Sequence, residues 1–209
     1  MLGLALFWVG AVLFLNGLWL LGKIGDNEIA IIDVFVGIVT GAVAFYLAFV
    51  VNDPVSIQAA AFTLLFTFTY FWVAWNRWNH ADGRGLGWFC LFVAITTVPI
   101  FFDTLGAAST TWDVWFAICW LSWCVLWFLF FLILALGRSQ LTRITGIICS
   151  AQGVYTGWIP GYLLLTGRMP GVETAAPPVD ETVTGSLMTL GLEPTQLAAI
   201  GRQLMAVLG

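Results

Sequence analysis

Six long apolar runs limit what this 209-residue chain can become: Leu2–Leu21, Ala30–Val51, Val55–Trp75, Leu86–Leu105, Trp112–Leu136 and Leu141–Thr166. A helix needs about 20 apolar residues to cross the hydrocarbon core of a bilayer, and each run is close to that length or longer. Only 9% of the residues are charged, 61% are hydrophobic and the mean hydropathy is +0.98. Soluble domains carry about 25% charged residues, so the composition also places the chain in a membrane. Spanning β-strands are excluded, because they are only about ten residues long and alternate in polarity. The first run lacks both a preceding Lys or Arg and a small-residue cleavage site, so it reads as a retained span. The expected fold is an all-α membrane protein of six transmembrane helices. Its short loops suggest three antiparallel hairpins in sequence. Residues 1–168 form the membrane domain. Residues 169–209 form a Pro-, Thr- and acid-containing tail, whose last stretch, Pro194–Gly209, reads either as a short amphipathic helix or as a frayed end.

Basic residues set the expected orientation. Lys23 lies in the first loop, Arg77 and Arg84 in the third, and Arg138 and Arg143 in the fifth. The second and fourth loops have none, so the odd loops should face the cytoplasm and both termini the outside. The outer loops carry Asp53, Asp103 and Asp113.

Between positions 112 and 127 stand five tryptophans: Trp112, Trp115, Trp120, Trp123 and Trp127. At about 100° per residue, Phe116, Trp120, Trp123 and Trp127 fall within an arc of roughly 60° on one helix face. Trp112 and Trp115 sit near a span end, where an interfacial belt accounts for them. Trp120, Trp123 and Trp127 run through the middle of their span, where belts do not occur. Periodicity leaves two readings for them, a packed seam or the wall of a pathway.

Charge is nearly missing from the spans. No Lys, Arg, His or Glu falls in a span interior; Asp33 lies near the start of helix two and Asp103 near the end of helix four. Proton relays, voltage sensors and ion-coupled carriers declare themselves by such groups. Catalysis is equally unsupported. The single histidine, His80, is in a loop with no Ser or Cys beside it for a nucleophilic triad. Cys90, Cys119, Cys124 and Cys149 lie within spans without metal-ligand spacing and read as small packing residues. No metal or cofactor is expected.

Uncharged polar groups remain. Threonines commonly bond their own backbone. Asn16 in helix one and Gln152 in helix six cannot be satisfied so simply, and an unpartnered buried amide costs about 2 kcal/mol. They either bond between helices or line a wet path. Pro99 and Pro160 should kink helices four and six. Gly153, Gly157 and Gly161, and Gly37 with Gly41, mark faces for close helix approach. A passage walled by indoles, phenols and amides excludes ions, because desolvating a charge costs far more than such walls return. It suits a small, flat, neutral polar molecule.

These residues resemble a known family. Met1-Leu2-Gly3-Leu4, Val9-Gly10, Asn16-Gly17, Phe35-Val36-Gly37 and Leu65-Phe66-Thr67-Phe68-Thr69-Tyr70 resemble the AmiS/UreI family of urea and amide channels. So do Leu91 to Pro99, Trp120 to Trp127 and Trp158-Ile159-Pro160, in order along Met1–Leu165. The resemblance implies six-helix protomers, each with its own pore, in a hexameric ring in the bacterial cytoplasmic membrane. It implies that Trp120, Trp123, Trp127, Phe66 and Tyr70 line two constrictions, with Phe116 where the family has a further tryptophan. Asn16 matches the family's asparagine. Gln152 stands where the acid-gated urea channel has a glutamate, and the outer loops here are short and lack histidine. The resemblance therefore points to the amide branch: a passive channel for short-chain amides and urea that supplies a cytoplasmic amidase or urease without strong acid gating. A proton-gated urea channel and a non-transporting membrane assembly subunit are the alternatives.

Overall fold

The computed structural model describes residues 1–169; the linker and amphipathic helix expected beyond them lie outside the described residues. The chain crosses the bundle six times. Helix α1 spans Leu2–Leu20, and α2 spans Asp26–Phe45 and continues as a π-helical turn, Tyr46–Val51. Helices α3 (Pro54–Trp78), α4 (Arg84–Gly106) and α5 (Thr111–Leu134) follow. The sixth crossing is composite: α6 (Thr142–Gln152), a π-helical stretch Gly153–Trp158 and α7 (Ile159–Leu165). The first five crossings are each long and apolar enough to span a membrane. No strand occurs among the described residues.

Local chemistry starts the helices where the sequence turns polar. Asp53 caps α3, its carboxylate accepting from the amides of Val55 at 3.0 Å and Ser56 at 3.1 Å, with Pro54 at the first helical position. Thr110 and Asp113 form a reciprocal capping box at the start of α5. Helix α4 runs unbroken through Pro99, with the Thr97 hydroxyl and the Cys124 thiol both donating to the Ala94 carbonyl oxygen. Near Pro160, by contrast, the helix is rewound over the preceding stretch into the π form.

The pairing of helices corrects the expectation of three hairpins in sequence. Helix α2 packs mainly on α3 and α4 on α5, while α1 packs mainly along α6, the π stretch and α7. The first and last crossings thus close the bundle. The reason is the absence of side chains on the facing surfaces. Gly3, Gly10 and Gly17 recur every seven residues on α1, opposite Leu164, Gly157 and Gly146 in turn. Without Cβ atoms the two backbones come into direct contact, which strengthens the short-range packing that holds helices together in lipid. The Cys149 thiol then donates to the Leu13 carbonyl at 3.2 Å, and the Ser150 hydroxyl to the Phe14 carbonyl at 3.1 Å. Gly37 and Gly41 on α2 instead make room for side chains of α3, the Phe71 ring and a Thr67 methyl.

A methyl on Gly157 would strike the Gly10 backbone and lie 2.9 Å from the Leu6 carbonyl oxygen. Gly157→Ala should therefore destabilise the bundle by about 1–3 kcal/mol. Gly106→Ala, which meets nothing within 4 Å, should not. Thermal unfolding in detergent, followed by tryptophan fluorescence, checks the difference.

Candidate functional site

The aromatic face of α5 looks across the bundle at α3. Phe66 lies beneath three indoles in a row. Its ring centroid is 6.2 Å from that of Trp120, 4.9 Å from Trp123 and 4.7 Å from Trp127. Trp120 and Trp123 stand perpendicular to one another at 5.1 Å. Edge-to-face packing of this kind holds rings rigidly at defined angles.

Two cavities meet at this cluster. One, of about 190 Å³, lies towards the N-terminal end and includes Leu6, Thr40, Phe62, Thr63 and Trp120 in its wall. The other, of about 40 Å³, lies towards the end with the basic loops and includes Asn16, Thr69, Tyr70, Trp127 and Cys149. Phe66 and Trp123 belong to both walls, so they form the partition between them. A single water needs about 10–15 Å³ by this measure, so the smaller cavity has room for roughly three water-sized groups. No charged side chain contributes to either wall.

The structure divides the expected site residues into two sets. Trp120, Trp123, Trp127, Phe66, Tyr70 and Asn16 line the cavities. Phe116 and Gln152 do not. Phe116 packs on the core beside the ladder. Gln152 is buried and donates to the Ser122 carbonyl at 2.8 Å, joining the sixth crossing to α5. That seam continues through Tyr155, whose hydroxyl donates to Ser122 at 2.8 Å, and Trp115, whose indole donates to the Tyr155 carbonyl at 3.1 Å. Trp115 is thus tied to the bundle, not only to an interface.

Trp123 does both jobs. Its face closes the partition, and its indole N–H donates at 2.9 Å to the Thr156 hydroxyl, which donates in turn to the Gln152 carbonyl at 2.7 Å. The π stretch supplies Thr156, and such irregular turns often mark functional positions. Trp120 and Trp127 have no comparable restraint among the described residues, so their indole N–H groups are free for a solute.

Two residues were missed from sequence. Cys149, read as packing, reaches the wall of the smaller cavity. Asp33 is the larger omission: it is completely buried, 0% exposed, and accepts from Asn16 Nδ2 at 3.0 Å. The available signal was a carboxylate two turns inside an otherwise apolar helix, together with an amide in a neighbouring span that needed a partner. His80 is exposed in the loop between α3 and α4, away from both cavities.

A helical bundle with apolar crossings and two uncharged aromatic chambers end to end is a multi-pass membrane protein built to pass or hold a neutral solute. The chain belongs to the AmiS/UreI transporter family, whose model matches residues 1–168. It is similar to a protein of Mycolicibacterium smegmatis named as an amidate substrates transporter, with 39% identity covering 98% of this chain and 92% of the relative. It is also similar to the transporter protein AmiS2 of Rhodococcus erythropolis, with 37% identity over 78% of each chain. The crystal structure of the Helicobacter pylori urea channel matches with a TM-score of 0.70 at 35% identity, covering 80% of this chain and 98% of that one.

Replacing the partition should change what passes between the chambers. Phe66→Ala is expected to raise the size limit for neutral solutes, and Trp120→Ala and Trp123→Ala to change flux or selectivity while the protein still inserts. Stopped-flow light scattering of proteoliposomes with solutes of graded size checks this. An unchanged size limit and unchanged flux in all three would assign the cluster to packing alone.

Proposed function

We propose that this protein is a passive channel for short-chain aliphatic amides and urea. The observation that carries the reading is the Phe66–Trp123 partition between two uncharged chambers. A planar solute of four or five heavy atoms can slide past flat rings there, whereas an ion would lose hydration with nothing to replace it. The relatives' names, an amidate transporter and a urea channel, support the same solute class. The wall supplies no group that could couple flux to an ion gradient. It contains no nucleophile–base pair either, so an enzymatic role has no support.

In this reading the chain lies in the bacterial cytoplasmic membrane, with the loops bearing Lys23, Arg77, Arg84, Arg138 and Arg143 inside and both termini outside. Its protomers, each with its own pore, form a homohexamer. The exposed apolar faces of α2 and α4, among them Phe35, Ile38, Phe92 and Ile95, offer surface to lipid and to neighbouring protomers. The channel feeds a cytoplasmic amidase or urease.

Weak pH dependence belongs to the same reading. Asp53, in the short loop between α2 and α3, is held below the ordinary carboxylate range, first by the Ser56 hydroxyl and then by the Ser56 and Val55 amides. A lowered value keeps it ionised throughout pH 5–8, so it supplies no switch in that window. The only histidine lies at the opposite, basic end.

Proteoliposomes under an acetamide or urea gradient should equilibrate faster than empty liposomes without a proton or sodium gradient. Permeation at the rate of empty liposomes would sink the channel reading, and dependence on an ion gradient would make the protein a carrier. Flux at external pH 5 and 7.5 should agree within about twofold. A several-fold rise at acid pH would instead favour a proton-gated urea channel.

A further inference from the structure

Of the polar groups on the smaller cavity's wall, the Thr69 hydroxyl is spent on the Leu65 carbonyl oxygen at 2.7 Å, which leaves the Asn16 amide and the Tyr70 hydroxyl to be explained. Behind Asn16 lies Asp33, outside the cavity wall and wholly buried. A carboxyl group so far from water is costly, and an aliphatic residue would pack there at less expense. Among the described residues its one hydrogen-bond donor is Asn16, and its second oxygen has no partner.

The amide's inventory shows what Asp33 does. A primary amide has two N–H donors and one carbonyl acceptor. Both donors of Asn16 are spent, one on the Val12 carbonyl oxygen at 3.0 Å and one on Asp33 Oδ1 at 3.0 Å. A backbone carbonyl can only accept, so Val12 fixes which end of the amide is nitrogen. Without Asp33 the second N–H would be loose and would compete for any passing acceptor. With it, Asn16 has only its oxygen left to offer, and that oxygen has no protein donor among the described residues. The Tyr70 hydroxyl, on the same wall, is buried and also unpartnered. The cavity wall therefore holds one fixed acceptor, the Asn16 oxygen, and two donors without a partner among the described residues, the buried Tyr70 hydroxyl and the Trp127 indole N–H.

We propose that Asp33 is a positioning residue which, with the Val12 carbonyl, holds the Asn16 amide so that its oxygen accepts an N–H from the solute, while the Tyr70 hydroxyl donates to the solute carbonyl. This rests on the amide-channel reading and adds the polarity of recognition to it. The small cavity selects for N–H donors, not only for a flat neutral shape.

Three isomers of one formula separate donor number from size: propionamide with two N–H groups, N-methylacetamide with one and N,N-dimethylformamide with none. Their protein-dependent permeabilities, corrected for empty liposomes, should fall in that order. Propionamide should lead dimethylformamide by about threefold to tenfold, the range that one net hydrogen bond gives. Asp33→Ala should flatten the order to within about twofold by releasing an Asn16 N–H. Asp33→Asn keeps an acceptor in the same place and should preserve the order. If Asp33→Ala fails to assemble, the double change Asn16→Leu with Asp33→Leu replaces both partners by apolar groups of similar size and should flatten it equally. A flat order in the wild type with flux above empty liposomes overturns the positioning role and leaves the channel reading intact. Full discrimination in Asp33→Ala or in the double variant, or its loss in Asp33→Asn, also overturns the role. Propionamide permeation at the rate of empty liposomes overturns both.

Discussion

Backbone contact between α1 and the composite sixth crossing is the constraint on which the rest of this molecule depends. Lipid gives helices no hydrophobic incentive to associate, so close van der Waals contact and interhelical hydrogen bonds must do that work. Gly10 against Gly157, and Gly17 against Gly146, bring the backbones together where any side chain would force them apart. Closure of the bundle follows, and with it the placement of Asn16 on one side of the axis and Thr156 on another. Thr156 then anchors Trp123, and Trp123 with Phe66 forms the partition.

The aromatic cluster is held as tightly as a hydrophobic core, yet it borders two cavities. Trp123 explains how both can be true. Its polar edge is satisfied by protein, which leaves its face as the part that meets space. Trp120 and Trp127 are held by packing in the core, and among the described residues their N–H groups have no partner. A ladder of identical residues therefore contains unequal members. Polar groups follow the same division: Gln152 and Ser122 serve the seam between helices, whereas Asn16 and Tyr70 serve the smaller chamber.

Much of this was legible in the chain. Run lengths and the scarcity of charge gave a multi-pass bundle of apolar helices, and the spacing of Trp120, Trp123 and Trp127 placed them on one face. Phe66 and Tyr70 came from resemblance, not from periodicity, because a Phe and a Tyr one turn apart in an apolar helix are ordinary. Gln152 and Phe116 were expected beside the ladder on the pathway, and the structure puts neither on a cavity wall. A helical wheel shows that residues share a face but not what that face meets, and a few tens of degrees separate a pore wall from a helix seam. The helix pairing was misjudged because short loops suggest that neighbours in sequence pair two by two, starting from the first. The glycines opposite one another on the first and last crossings override that pattern.

Length and hydropathy alone determine that this chain is a multi-pass membrane protein of five to six apolar helices with little charge in them. These are properties of each segment taken separately, set by the energy of moving it from water into lipid. Only the tertiary structure decides which aromatic faces meet across an open space, that Gln152 bonds a helix while Asn16 faces a cavity, and that Asp33 stands behind Asn16. Those outcomes turn on a few ångströms of contact between segments distant in sequence. No local pattern encodes such contacts, and hydrogen-bond partners exist only once both ends have been brought together.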